Sequence, residues 1–206
     1  MYRLYWRENT GAFAVDVALS LAKAPATRIH VDTKSGENRT PRFLALNPLG
    51  QVPTLELPDG TVMTESAAML LLVAERFPAA ALAPTPADPA RGQFLRLLLL
   101  LAVPVYETEL HVSYPARYTA DAAGADGVLR AARARQDQLF ALLAAELGDK
   151  PFLLGDRAGI IDAYFAMLAK WYGGDAGRAA LEAHRARLRT DRVVDEVWRR
   201  YFPDAT

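Results

Sequence analysis

Residues 50–66, GQVPTLELPDGTVMTES, contain the pattern that decides the fold. A short apolar segment begins at Pro53, turns at Asp59-Gly60 and continues into a second apolar segment. Asp-Gly is a strong hairpin turn, so the stretch predicts two antiparallel strands. Because proline has no N–H to give to a ladder, Pro53 must be a strand's first residue or lie on a sheet edge. Glu65 and Ser66 follow at a predicted helix start and place a carboxylate and a hydroxyl beside the hairpin.

Strand and helix patterns alternate around this hairpin in the first third of the chain. In chain order they predict a strand, a helix, a strand, a short helix, the two hairpin strands and a further helix: Tyr2–Trp6, Ala12–Lys23, Ala26–Val31, Pro41–Leu46, the hairpin and Glu65–Phe77. Strands joined through a helix pair in parallel, whereas hairpin strands pair antiparallel. The prediction is therefore a small mixed four-stranded sheet with helices packed on it.

Strand patterns stop at residues 78–89, PAAALAPTPADP, a proline-rich segment typical of a linker. Only helical patterns follow: Arg91–Tyr118 with a bend at Pro104, Val128–Leu147, Ile160–Tyr172, Arg178–Leu188 and Asp191–Tyr201. The third of these is apolar nearly all round, which predicts a buried central helix. We therefore predict an α/β domain over residues 1–78, a linker over 79–89 and an all-helical domain over 90–206.

The composition excludes several classes of function. Lys and Arg total 24 and balance 24 Asp and Glu, so no broad basic surface favours nucleic acid. The chain has no cysteine, which excludes disulfides, thiolate zinc sites and a cysteine nucleophile. Its three histidines are far apart in sequence, so we expect no metal site. The N-terminus lacks the apolar stretch of a signal peptide, and Leu97–Val103 is too short to span a bilayer. We expect a cytoplasmic protein without a membrane segment.

Four stretches resemble the soluble glutathione transferases. They are residues 46–78 (LNPLGQVPTLELPDGTVMTESAAMLLLVAERFP), which are similar to that family's glutathione-site segment, ETELH at 107–111, FLLGDRAGIIDAYF at 152–165 and LEAHRARLRTDRVV at 181–194. ETELH is similar to bacterial beta-class members, and the N-terminal LYWR to the zeta class. The resemblance implies a thioredoxin-like domain followed by a helical bundle, a homodimer, and glutathione as co-substrate.

In that family the proline at this place is cis, which would turn Val52 outward. Its N–H and C=O would then bind the cysteine part of glutathione as an added strand. The alternative is a trans Pro53 that only blunts a sheet edge. The preceding residue, Gln51, would reach the glycine carboxylate, and Arg39 is a further candidate for that role.

Glu65 and Ser66 would bind the γ-glutamyl end of the tripeptide. Ser66 lies in the first turn of a helix, where free N–H groups and the helix dipole favour a carboxylate. Glu65 would accept a hydrogen bond from the ligand's ammonium group. The alternative is helix capping, because Thr64, Glu65 and Ser66 are all suited to a helix N-terminus.

A free thiol has a pKa of about 8.5, so catalysis needs a group that stabilises the thiolate. In the family a tyrosine, serine or cysteine soon after the first strand donates a hydrogen bond to the sulfur. Here the corresponding positions hold Asn9, Thr10 and Gly11, so neither the zeta-type nor the beta-type residues are intact. Thr10 is the best donor candidate, with an N-cap role as the alternative. Asn9 through its amide, and Tyr5 inside the strand, are further candidates.

The resemblance places the second substrate in a cleft between the domains. Tyr106, His111 and Tyr114, on the predicted long helix, would line it, with Tyr106 slightly off the face of the other two. Asp162 falls in the family's folding motif, three residues after a Ser or Thr that is Gly159 here. We expect Asp162 to have a structural role and the glycine to cost one capping bond.

The resemblance implies a glutathione transferase that conjugates the thiolate of glutathione to an electrophilic, mostly apolar small molecule, in a detoxifying role. One alternative is a glutathione-dependent peroxidase or disulfide reductase that works without a protein cysteine. The other is a non-catalytic binding protein that has kept the fold, because a fold does not fix a function. Binding to glutathione, titration of its thiol, and assays with a disulfide and an aromatic halide separate the three.

Overall fold

The computed structural model describes residues 1–203 of the 206-residue chain. The chain forms two compact units. One comprises Met1–Asp88 together with the C-terminal segment from Arg189, and the other comprises Pro89–Leu188.

The first unit is built on a mixed four-stranded sheet, as predicted. Its strands are β1 (Tyr2–Trp6), β2 (Ala26–His30), β3 (Thr54–Glu56) and β4 (Val62–Met63), in the order β2-β1-β3-β4. β1 pairs in parallel with β2 and antiparallel with β3, and β3 pairs antiparallel with β4. The hairpin is confirmed, although its turn has three residues rather than two. Leu57 N–H donates to the Thr61 carbonyl across Pro58, Asp59 and Gly60, and Gly60 adopts the left-handed φ of 86° that such loops place on glycine.

Four helices belong to this unit: α1 (Ala12–Leu21), the single turn α2 (Pro41–Leu44), α3 (Ser66–Arg76) and α9 (Arg192–Tyr201). α1 is buried along almost its whole length. Its apolar side chains and those of Leu4, Leu55, Met69 and Leu70 form the core. Burial of these side chains holds the sheet against α1 and so positions the loops at the ends of the strands.

The compact units differ from the predicted domains at the C-terminus. The sequence pattern assigns residues 90–206 to the helical domain, whereas α9 packs against α1 of the first unit. Phe13 of α1 lies edge-on to Trp198 at 5.3 Å between ring centroids, and Arg200 Nη1 lies 2.8 Å from the buried Asp16 carboxylate. These long-range contacts have no signature in local periodicity, which explains the difference.

The second unit contains α4 (Arg91–Leu100), α5 (Tyr106–Ser113), α6 (Ala125–Leu147), α7 (Ile160–Trp171) and α8 (Arg178–Leu188). A π-helical turn over Leu101–Val105 joins α4 and α5 and contains Pro104, the predicted place of a bend. The predicted extension to Tyr118 is wrong. The helix ends at Ser113 because Tyr114 precedes Pro115 and leaves the helical region at φ −137°. A 3₁₀ turn follows at Pro115–Tyr118.

α7 is the buried central helix that its sequence predicts, and Asp162 anchors its first turn. The Asp162 carboxylate accepts hydrogen bonds from Gly159 N–H at 2.8 Å and Leu153 N–H at 2.9 Å. Its third partner is His184 Nε2 of α8, at 2.9 Å. Gly159, the N-cap residue, has no side chain to return the bond, so half of the capping box is present.

Among residues 1–203, no helix combines the length and the apolar character needed to cross a membrane.

Candidate functional site

The register of the sheet brings most of the predicted site residues to one end of it. Tyr5 near the end of β1 faces Thr54 at the start of β3, and Leu55 of β3 faces Met63 at the end of β4. β2 runs parallel to β1 and ends beside it. The segments after β1, β2 and β4 and before β3 therefore meet at the same end. They carry Asn9, Thr10, Arg39, Gln51, Val52, Pro53, Glu65 and Ser66.

The peptide bond between Val52 and Pro53 is cis, as the resemblance implies. Val52 lies just before β3 and outside the ladder. Within the part of the chain that the structure describes, neither its N–H nor its C=O has a hydrogen-bond partner. A half-buried residue with both backbone groups unpaired can bind an extended peptide through its main chain.

The loop before Val52 is held by Asn47, a residue that the sequence interpretation missed. Its side chain is buried, and its Nδ2 donates to the Gln51 carbonyl at 2.9 Å and to Thr54 Oγ1 at 3.2 Å. Its Oδ1 accepts Leu49 N–H at 3.0 Å, a bond to the backbone two residues on. An Asn before a proline in Asn47-Pro48 is a signal for this type of turn, and it was available in the sequence.

Arg39 lies against the same loop. Its Nη1 donates to the Leu49 carbonyl at 3.2 Å, and a Cβ on Gly50 would come within 2.8 Å of that nitrogen. Gly50 also has a φ of 63°, so both its conformation and its close neighbour require glycine. Gln51 keeps its carbonyl bonded to Asn47 while its side chain is exposed. Gln51 thus lies in the loop that leads to Val52, and Arg39 lies against that loop.

The start of α3 forms another part of the site. Glu65 is the N-cap residue, yet its side chain makes no capping hydrogen bond, and the first turn contains no acidic residue. The capping alternative for Glu65 is therefore wrong. Glu65 also has φ 61° and ψ 99°, a rare conformation for a residue with a side chain. Such outliers concentrate at ligand sites. An uncapped helix N-terminus carries donors and a positive dipole end for a carboxylate.

Asn9 and Thr10 lie in the loop between β1 and α1. Asn9 adopts a left-handed φ of 52°, which asparagine tolerates better than most residues. Thr10 does not cap α1, because the N-cap residue is Gly11 and no side chain caps this helix. Its hydroxyl instead donates to the Arg7 carbonyl at 2.6 Å. To donate to a sulfur atom, this hydroxyl would have to rotate away from Arg7.

The hydroxyl of Tyr5, the third candidate for the thiol donor, already has another partner. Its hydroxyl faces Glu56 Oε2 of β3 at 3.4 Å, and its ring lies edge-on to Phe43 at 5.9 Å. Partial burial, followed by the charge of Glu56, raises the pKa of the Tyr5 phenol. A phenol with a raised pKa that already has a carboxylate partner is a poor donor to a thiolate.

The three residues predicted to line a second-substrate pocket have different neighbours within the second unit. Tyr106 packs against Tyr164 and Trp171, at 6.2 and 5.8 Å between ring centroids. His111 stacks on Tyr118 at 3.6 Å, and the Arg117 guanidinium lies 3.9 Å from the ring centre of Tyr114. Tyr106 therefore has its ring neighbours on α7, whereas His111 and Tyr114 contact residues of the 3₁₀ turn that follows α5.

Among residues 1–203, no three His, Asp or Glu side chains are grouped as a metal ion would require.

Comparisons with known proteins identify the family to which this chain belongs. Residues 12–76 match the family model described as glutathione S-transferase, N-terminal domain. The chain is 31% identical to an uncharacterized GST-like protein, YncG, of Escherichia coli K12 over 175 residues, which are 84% of this chain and 83% of that protein. It is 27% identical to a maleylacetoacetate isomerase of Pseudomonas aeruginosa, over 87% of this chain and 83% of that protein.

Among solved structures, the chain is similar to a glutathione transferase homolog from Sulfitobacter that was crystallised with bound glutathione. The TM-score is 0.88 and the sequence identity 25%, over 97% of this chain and 98% of the other. The predicted fold, a thioredoxin-like domain with a helical second part, is thereby confirmed.

Proposed function

Because this chain belongs to the glutathione S-transferase family, we propose that it binds glutathione at the sheet end described above and transfers its thiolate to an electrophilic small molecule. The unpaired backbone of Val52 is the observation that carries this proposal. A free N–H and a free C=O on one residue match the donor and acceptor of a peptide laid alongside.

The ligand's orientation follows from the charges at the two ends of the site. The γ-glutamyl carboxylate would occupy the uncapped start of α3, with the Ser66 hydroxyl as a further donor and Glu65 beside the ammonium. The glycine carboxylate would lie towards Gln51 and Arg39. The cysteine part then falls beside Val52, and its sulfur faces the loop that carries Thr10.

The protein's contribution to catalysis would be orientation and stabilisation of the anion. Glutathione supplies the nucleophile, and the chain supplies donors for its sulfur. α1 offers its uncapped N-terminus, and the Thr10 hydroxyl is the side-chain donor once it has turned from the Arg7 carbonyl. Both features favour the charged form of the thiol and so lower its pKa.

We expect Ser66→Ala to weaken glutathione binding by roughly 10-fold. A hydrogen bond to a charged group contributes about 1.5–3 kcal/mol, and 1.4 kcal/mol is a factor of about ten in affinity. Isothermal titration calorimetry measures the change. Thr64→Ala, two residues earlier and outside α3, is the matched control and should stay within about twofold of the wild type. Equal affinities for Ser66→Ala and the wild type would remove Ser66 from the site.

We expect Thr10→Val to raise the pKa of the bound thiol by about one unit, which cuts the thiolate fraction roughly tenfold below that pKa. Thr10→Ser keeps a hydroxyl and should titrate like the wild type. Ultraviolet absorbance of the thiolate, followed against pH at saturating glutathione, measures both. If Thr10→Val titrates like the wild type, Asn9 and the N–H groups of α1 are left as the donors.

Two alternatives use the same site and need the same assays. The chain has no cysteine of its own, so a disulfide reductase or peroxidase activity would also run on the thiol of glutathione. Turnover of a disulfide or hydroperoxide without turnover of an aromatic halide would select that alternative. Because one relative is an isomerase, isomerisation belongs in the same panel. A glutathione complex whose thiol pKa stays near about 8.5 would indicate a non-catalytic binding protein.

A homodimer, a cytoplasmic location and a role in detoxification are part of the same proposal. Leu99 and Val103, one helical turn apart, are 58% and 61% exposed and offer an apolar face to a second copy. Sedimentation velocity measures the assembly directly.

A further inference from the structure

The last turn of α9 lies against the loop that carries Asn9 and Thr10. A single residue of that turn, Tyr201, contacts the loop and both elements that flank it. Its ring lies 4.7 Å from that of Trp6, at the end of β1, and 5.8 Å from that of Phe13, at the start of α1. Its carbonyl accepts the N–H of Asn9 at 3.0 Å. The residue before the loop, the loop itself and the residue after it are therefore all held by Tyr201.

Tyr201 is placed to support this loop rather than to meet a ligand. It is fully buried, and burial, followed by the charge of Asp16, raises the pKa of its phenol well above the ordinary value. The ring therefore stays neutral and acts as a packing surface. The bond to Asn9 uses a backbone carbonyl at the end of a helix, where carbonyls lack intrahelical partners.

The position of Tyr201 is itself fixed by its neighbours in α9. Arg200 Nη1 lies 2.8 Å from Asp16 Oδ2, and Trp198 and Phe202 pack on Phe13 at 5.3 and 5.4 Å between ring centroids. These contacts anchor α9 on both sides of Tyr201. Within the loop itself, the Thr10 hydroxyl donates to the Arg7 carbonyl.

We propose that Tyr201 is a positioning residue for thiol activation, so that the C-terminal helix sets the geometry of the loop that faces the sulfur of glutathione. This inference rests on the proposed function. The hydrogen bond from Asn9 N–H to the Tyr201 carbonyl fixes the peptide unit that precedes Asn9. The left-handed backbone of Asn9 then sets the direction in which the chain continues to Thr10. Loss of this support would leave the glutathione-binding segments at Val52 and α3 in place, since they belong to other elements.

The test compares Tyr201→Leu, which removes both ring contacts, with Tyr201→Phe, which keeps them. We expect Tyr201→Leu to raise the pKa of the bound thiol by about one unit, with kcat/KM roughly tenfold lower below that pKa. The Kd for glutathione should stay within about threefold, and hydrogen exchange over residues 7–11 should become faster. Tyr201→Phe should match the wild type in each measurement. Arg199→Gln, an exposed α9 residue that pairs with Asp195 in its own helix, is the control.

A second variant covers the case in which Tyr201→Leu does not fold. Arg200→Gln removes the ion pair between α9 and Asp16 and leaves the aromatic contacts in place. We expect changes in the same direction as for Tyr201→Leu but smaller, about twofold in kcat/KM. The inference is overturned if a folded variant exchanges faster over residues 7–11 while its bound thiol titrates like the wild type. It is also overturned if Kd rises in proportion to the fall in kcat/KM at an unchanged thiol pKa. A wild type that leaves the thiol pKa unlowered overturns the proposed function itself, and this inference with it.

Discussion

Replacement of Asp162 by alanine is expected to lower the free energy of unfolding by about 3–5 kcal/mol. The carboxylate is 1% exposed and accepts hydrogen bonds from Leu153 N–H, Gly159 N–H and His184 Nε2. Removal of one partner from a buried, charged network costs this much because the remaining groups lose their bonds and cannot reach water. Denaturant unfolding followed by circular dichroism measures the loss.

Two variants make that result specific to the buried network. Asp156→Ala removes a carboxylate from the same loop, but this residue is exposed, so we expect a change within about 0.5 kcal/mol. Asp162→Asn keeps one acceptor oxygen and should fall between the alanine variant and the wild type. A loss below about 1 kcal/mol for Asp162→Ala would mean that the network contributes little to the free energy of unfolding.

The second large effect is expected at Asp16 of α1. Its carboxylate is fully buried. One oxygen accepts from Arg28 Nε and Nη2 at 2.8 Å each, and the other from Arg200 Nη1 at 2.8 Å. Because the two arginine side chains are 26% and 32% exposed, they can regain water when the carboxylate is lost. We therefore expect Asp16→Ala to cost about 3 kcal/mol, the lower end of the range for a broken buried pair.

Asp195 supplies the matched control for this substitution. It also pairs with two arginines, Arg189 and Arg199, but its side chain is 17% exposed and its partners lie on or beside its own helix. We expect Asp195→Ala to cost about 1 kcal/mol or less. Hydrogen exchange separates the two variants further, because Asp16→Ala should speed exchange across α9 as a unit. Equal losses for the two aspartates would show that burial of Asp16 does not decide its contribution.

The hairpin could be predicted because its signals are local. Asp59-Gly60 marks the turn, and Pro53 marks the start of β3, within a stretch of 17 residues. Each of these residues acts through its own backbone preferences. The same holds for α7, whose apolar pattern predicts a buried helix that the structure contains.

The loop between β1 and α1, the proposed place of thiol activation, could be predicted only in part. The sequence identifies Asn9 and Thr10 as the polar residues ahead of α1, but it favours an N-cap role and a donor role for Thr10 about equally. In the structure Thr10 does not cap α1, and its hydroxyl instead donates a hydrogen bond to the Arg7 carbonyl. Which acceptor a hydroxyl finds depends on the path of the loop, and one contact along that path is the hydrogen bond from Asn9 N–H to the Tyr201 carbonyl.

The amino-acid sequence by itself determined the mixed sheet and the hairpin that begins after Pro53, because turn chemistry and periodicity act between near neighbours, whereas the cis bond before Pro53 was implied by the family resemblance. Only the tertiary structure decided that α9 belongs with the first unit and that Tyr201 supports the loop of Asn9. Asp16 and Arg200 are 184 residues apart, and their contact follows from burial of α9 against α1. Such burial is a property of two surfaces that the folded chain brings together, and no local pattern in either segment specifies its partner.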